Sequence, residues 1–335
     1  MKFNYPQICS ELFRDLTQRQ KEVILRRFGL KKPGQKETLE AIGESYGVTR
    51  ERVRQIEESA IAKLKEKTNN YQKVFQYFIE QLKKTGGLKK EEFLFSLLGE
   101  ENLQNQIFFL MTLSDKFIRF PETKDCHAFW AINQQSVELA QKAIESFNQK
   151  LAEINQPVKL QDFKTFFSKI NPQTLLSYLE ISKQIQQNSE GLFGLRNWPE
   201  INPRGVKDKA YLVFKKEARP LHFTEVARFI AEQNREEKKG CPNPQSVHNE
   251  LIRDPRFVLV GRGLYSLQEW GYASGVVKDI IFNVLKETRE PLTKQEVIAA
   301  VSKQRFVKEN TILLNLSNKK YFMRTPEGKY VIKEI

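Results

Sequence analysis

No stretch of this chain is apolar for the roughly 20 residues that a membrane-crossing helix needs. Met1–Phe13 is too polar for a signal peptide. Cysteine is scarce, with three in 335 residues. Cys9, Cys126 and Cys241 lie far apart and form no CxxC pair, which speaks against a disulfide framework and for a reducing cytoplasm. Histidine is as rare, with three in the chain. His127, His222 and His248 share no ligand spacing, and a structural zinc site needs about four converging ligands. Gly261-Arg262-Gly263 lacks the strand-to-helix context and the third glycine of a phosphate-cradling loop. Carboxylates are numerous but stand among lysines on helix faces, as solvated pairs do. We therefore expect no enzyme, no catalytic residue, no metal and no cofactor.

What the chain has in excess is positive charge. Net charge is +14, from 55 Lys and Arg against 41 Asp and Glu. That balance favours a polyanionic partner, most simply nucleic acid; a membrane surface is the alternative, but no lone basic amphipathic helix stands out. Hydrophobic residues make up 40% and charged residues 29%, as in folded soluble chains, and the length suits several small domains.

Thr38–Lys67 organises the rest. Leu39–Glu44 reads as a short helix with Leu39 and Ile42 on its apolar side. Gly47 marks a turn, Val48 can plug the core, and Thr49 suits an N-cap. From about Arg50 to Lys65, Val53, Ile56, Ala60, Ile61 and Leu64 recur at spacings of three and four, which gives one buried stripe. Arg50, Glu51, Arg52, Arg54 and Gln55 crowd the first two turns. The bland reading is a solvated helix face. The functional one is a helix-turn-helix, whose second helix puts its N-terminal residues into the major groove of DNA. There Arg pairs with guanine, Gln with adenine and Glu with cytosine.

At residues 16–30 (LTQRQKEVILRRFGL), 38–43 (TLEAIG) and 47–57 (GVTRERVRQIE) the chain resembles region four of the housekeeping bacterial sigma factors, over about residues 15–67. That family's domain reads the minus-35 promoter element and packs on the flap of RNA polymerase. The resemblance implies base contacts from Arg50, Glu51 and Gln55, and phosphate contacts from Thr49, Arg52 and Arg54. A working housekeeping sigma also carries a promoter-melting domain ahead of region four. Only about 15 residues precede the match here, so we do not expect this chain to open promoters by itself.

Met1–Asp15 reads as a lead-in helix and Leu16–Phe28 as a helix capped at Thr17. Beyond residue 70 a pattern recurs: two or three amphipathic helices, an apolar strand, a polar turn and a second strand. The spans are 71–133, 136–203 (the faintest), 205–272 and 273–335, after a first domain at 1–68. Expected helices include Lys89–Leu98, Leu160–Ser168, Phe223–Asn234 (capped by Thr224) and Pro244–Arg253. Helix-helix-helix-hairpin is the pattern of a winged helix; the competing reading is one irregular helical domain with scattered hairpins. Phe75, Phe78, Phe93, Phe108, Phe109, Phe166 and Phe167 fall at helical spacings and are expected in cores, as are Trp130, Tyr265 and Tyr330.

Residues 218–226 (ARPLHFTEV) and 254–267 (DPRFVLVGRGLYSL) resemble the HARE-type helix-turn-helix domain, over about 205–272. That winged-helix module occurs in the delta subunit of RNA polymerase and in some chromatin and restriction proteins. Residues 290–297 (EPLTKQEV) echo it as a divergent copy. Arg262 could reach a phosphate or the minor groove from a hairpin tip; a plain surface turn fits as well.

The fold class expected is mainly α with small β-hairpins, a helix-turn-helix followed by tandem winged helices. The function expected is a cytoplasmic, bacterial-type protein of transcription that binds double-stranded DNA through the sigma-like module. The alternative is an accessory factor docked on core RNA polymerase with secondary DNA contact. An enzyme borrowing DNA-binding modules ranks last.

Overall fold

The computed structural model describes residues 3–31, 35–163, 170–236, 240, 242–272, 275–288, 290–305 and 307–333. The chain divides into two compact units, Met1–Asn197 and Trp198–Ile335. It is mainly helical, with small antiparallel sheets.

The first unit starts with α1 (Tyr5–Leu12), α2 (Gln18–Arg27), α3 (Leu39–Tyr46) and α4 (Arg50–Lys67). Thr17 and Gln20 form a reciprocal capping box at the start of α2. The α3–α4 corner depends on two glycines. Gly47 ends α3 at φ +63°, a left-handed conformation that costs a residue with a Cβ. A Cβ on Gly43 would lie 2.6 Å from the Val48 carbonyl oxygen, so the chain turns over a bare backbone. Val23, Ile42 and Val53, one from each of α2, α3 and α4, close a small core with Leu39, Tyr46, Val48 and Ile56 around it.

The other sides of α2 and α4 belong to a larger core. Ile24, Phe28, Ala60 and Leu64 pack with Leu12 and Phe13 and with residues 74–130 of the next segment. That segment runs α5 (Gln72–Lys84), β1 (Leu88–Lys90), α6 (Glu91–Leu98), α7 (Gln104–Thr112), β2 (Ile118–Phe120) and β3 (Phe129–Ala131). A 3-10 turn at Thr68–Tyr71 carries α4 into α5, where the sequence pattern predicts a domain end at residues 68–70. The Phe109 ring sits 5.1 Å from Phe28 and 5.5 Å from Phe13. Of the phenylalanines expected inside, Phe75, Phe78 and Phe109 are buried and Phe108 is partly so. Phe93 is a correction, since it is 41% exposed. The inward stripe of α6 is Leu94, Phe95 and Leu98, and Phe93 falls on the other side, beneath the Lys90 ammonium. Phe166 and Phe167 lie outside the described residues, as does Cys241.

Then come α8 (Gln134–Ile154), β4 (Val158–Lys159), α9 (Pro172–Ile181), β5 (Ile185–Gln187) and β6 (Leu192–Leu195). In place of the start of the helix expected over Leu160–Ser168 there is a 3-10 turn, Leu160–Phe163; residues 164–169 lie outside the described residues.

The second unit holds α10 (Gly205–Glu217), β7 (Leu221–His222), α11 (Phe223–Glu236), α12 (Pro244–Arg253), β8 (Phe257–Leu259) and β9 (Leu264–Leu267). It continues with α13 (Val277–Thr288), α14 (Lys294–Gln304), α15 (Glu309–Leu316), β10 (Phe322–Arg324) and β11 (Tyr330–Ile332). Each set of helices closes its own core. Thr224 does not cap α11. Leu221 and His222 pair with β9, so the helix starts at Phe223, and Glu225 reaches back to accept from the His222 backbone N–H at 3.1 Å.

One strand order recurs. In β1-β3-β2, β4-β6-β5 and β7-β9-β8 the short strand after the first helix pairs with the last strand, which pairs with the middle one. In the last repeat the leading strand shrinks to a single bridge, Leu292 to Tyr330, beside the β10–β11 pair.

Candidate nucleic-acid interface

Thr49 ends the turn and starts α4, its hydroxyl accepting from the Arg52 N–H at 3.2 Å. Thr49→Ala removes that cap and is expected to lower stability by about 1 kcal/mol in chemical denaturation. An unchanged midpoint would show that the cap does not set the helix start.

The stripe Val53, Ala60 and Leu64 is buried. The helical period therefore turns Arg50, Glu51, Arg52, Arg54 and Gln55 outward, and all five are exposed. Their side chains partner one another. Arg54 donates to both Glu51 oxygens, at 2.9 and 2.6 Å, and also to Glu58. That guanidinium holds the Glu51 carboxyl below its ordinary range. Arg52 donates to the Gln55 side-chain oxygen at 3.0 Å. Among the described residues Arg50 holds no ion pair.

This pairing has a chemical consequence. Exposed ion pairs and hydrogen bonds are weak and screened by salt. Phosphates can draw Arg52 and Arg54 away, which frees the Gln55 amide and the Glu51 carboxylate for base edges.

Sequence reasoning missed Arg19. It lies in the first turn of α2, exposed, and lines a shallow cleft with Arg52, Gln55 and Ser59. Its guanidinium stands 5.3 Å from the centre of the Tyr46 ring. The α4 pattern could not reveal it, because the cleft forms between two helices about 30 residues apart in sequence.

Arg262 belongs to the other compact unit. It is exposed at the β8–β9 turn. Gly263 beside it has φ +67°, and a Cβ there would lie 2.4 Å from the His222 ring. The turn is thereby pressed against the start of α11. His248 is half-buried and packs against rings, 4.5 Å from Phe223 and 5.7 Å from Tyr265. Among the described residues no helix is long and apolar enough to cross a membrane.

The comparisons agree with these two regions. Residues 12–66 match the family described as sigma-70, region 4. Residues 204–270 match the HARE-HTH family, whose description names ASXL and a restriction endonuclease HTH domain. The RNA polymerase sigma factor sigB of Arabidopsis thaliana is 52% identical over 63 residues, 19% of this chain and 11% of that protein. The RNA polymerase sigma factor RpoD of Helicobacter pylori is 58% identical over 50 residues, 15% of this chain and 8% of that protein. The RNA polymerase sigma factor SigA of a Bacillus species is 52% identical over 50 residues, 15% of this chain and 13% of that protein. The chain thus spans about a tenth of the length of the curated relatives it matches. It carries a sigma-like DNA-binding helix-turn-helix at residues 12–66 and a HARE-type helix-turn-helix segment at residues 204–270.

Proposed function

We propose that this protein is a sequence-directed, double-stranded-DNA-binding protein of transcription that reads a promoter-type element through α4. The observation that carries the reading is the exposed, capped first two turns of α4 within the sigma-like segment. Arg50, Glu51 and Gln55 read base edges; Thr49, Arg52 and Arg54 hold phosphates. The mechanism is binding without catalysis, in the cytoplasm. The four later repeats are winged helices, a reading supported by their shared strand order, and Arg262 is a wing contact.

A second reading has its own support. The repeat in the HARE-type segment exposes Ile252 (63%) and Leu259 (45%), and the sigma relatives are named as RNA polymerase factors. Here the protein docks on core polymerase and DNA contact is secondary.

Selection of sites from random duplexes at fixed near-physiological salt tests the first reading. An enriched motif is expected. Arg52→Ala should weaken every sequence alike and lower the slope of log K against log salt by about 0.9, one phosphate contact. Salt-sensitive binding with no enriched motif, together with retention of the protein on core polymerase, would transfer the assignment to the second reading.

A further inference from the structure

The positive charge is unevenly shared among the repeats. Residues 71–133 carry eight Lys and Arg and eight Asp and Glu, whereas residues 277–333 carry twelve against six. Those cations meet an apolar cleft. Between the end of α15 and the β10–β11 hairpin, Lys319, Arg324 and Lys333 stand around Phe322, Met323 and Tyr330. Phe322 is buried and forms the floor. Met323 is 52% exposed and Tyr330 is half-buried, so both present apolar surface to the opening. The three cations are exposed, and among the described residues no carboxylate lines the cleft and none of the three has an ion pair. Arg324 is held in place by the turn, its Nε donating to the Gly328 carbonyl at 3.2 Å.

The preceding repeat shows what this place looks like without the charge. The cleft between the end of α12 and β8 is lined by Ile252, Leu259 and Tyr272, and its Arg253 is accompanied by Asp254. The same scaffold position is near neutral in one copy and purely cationic over an aromatic and a thioether in the other. Cations around an apolar, ring-bearing hollow match a chain of phosphates with unstacked bases between them. A duplex keeps its bases stacked inside and would leave the hollow empty. An acidic peptide would satisfy the charge but not call for a ring.

We propose that this cleft binds single-stranded nucleic acid, with Lys319, Arg324 and Lys333 on phosphates and Tyr330 and Met323 against an unstacked base. The site is separate from α4 and does not depend on the reading of that helix.

Fluorescence anisotropy of the full chain with a labelled twelve-nucleotide oligo-dT tests it. The triple variant Lys319→Gln, Arg324→Gln, Lys333→Gln should weaken binding and lower the salt slope by about two, at roughly 0.7 per phosphate of a single strand. Tyr330→Leu keeps an apolar side chain against the core and should cost about tenfold through lost stacking. Arg50→Ala should leave oligo-dT binding as it was, and the triple variant should leave the duplex motif selected by α4 unchanged. The proposal is overturned if oligo-dT does not bind, or if the triple variant binds it as the parent does. It is equally overturned if the triple variant weakens duplex binding alone, or if poly-glutamate of matched charge competes as well as unlabelled oligo-dT.

Discussion

Arg50→Ala and Gln55→Ala together are expected to abolish most sequence discrimination while leaving salt-dependent duplex binding in place. A bidentate contact from Arg to guanine or from Gln to adenine contributes about 1–3 kcal/mol of discrimination. Both positions are exposed within the first two turns of α4, and losses at such closely spaced contacts combine incompletely. A combined loss of about 2–4 kcal/mol is expected, which is at least about thirtyfold in the preference for a selected site. Non-specific affinity should survive. Gln55→Ala removes the acceptor that Arg52 holds at 3.0 Å, and the freed guanidinium remains available to phosphate. The measurement is competition between a selected duplex and its single-base variants at one salt concentration. If the double variant ranks those duplexes as the parent does, α4 is not the reading helix.

Phe109→Ala should be the most destabilising single change in the first unit, at about 3–5 kcal/mol. Its ring is fully buried and touches Phe13, just after α1, and Phe28, at the end of α2. Truncation leaves a cavity between the helix-turn-helix and α7, which the surrounding helices can fill only in part. Cys9 provides a local readout. It lies 4% exposed in the same core, and burial pushes its thiol up to about 12. Alkylation of Cys9 therefore requires opening of that core. The variant should bring the urea midpoint down and speed Cys9 alkylation in parallel. If Phe109→Ala costs less than about 1 kcal/mol, or if Cys9 stays protected while other segments unfold, the helix-turn-helix and the following repeat do not share one cooperative core.

Much of the local structure is legible because it is written in short-range chemistry. Thr17, Thr49 and Gly47 are cap and turn residues whose roles need only their neighbours. The expected start and end of Pro244–Arg253 match α12 because Asn243 caps it and proline occupies its first turn. The errors arise where a local rule meets a long-range partner. Thr224 has the chemistry of a cap, but β9 draws Leu221 and His222 into a strand and moves the helix start. Phe93 has the character of a core residue, but the fold of β1 and α7 around α6 selects Leu94, Phe95 and Leu98 instead. Arg19 is invisible because its neighbours Arg52 and Gln55 are distant in sequence.

By itself the sequence determined where most of the helices lie, the caps at Thr17 and Thr49, the recurrence of the repeat, and the side chains that α4 presents outward. Each of these follows from the 3.6-residue period and from capping within a few residues. Only the tertiary structure decided that Phe28 and Phe109 weld the helix-turn-helix to the following segment. It also decided that Arg19 of α2 shares one cleft with Arg52 and Gln55 of α4, and that three lysine and arginine side chains surround one apolar cleft beside α15. Those are contacts between surfaces whose meeting depends on how whole helices pack, and side-chain periodicity within one element carries no information about which other element it will face.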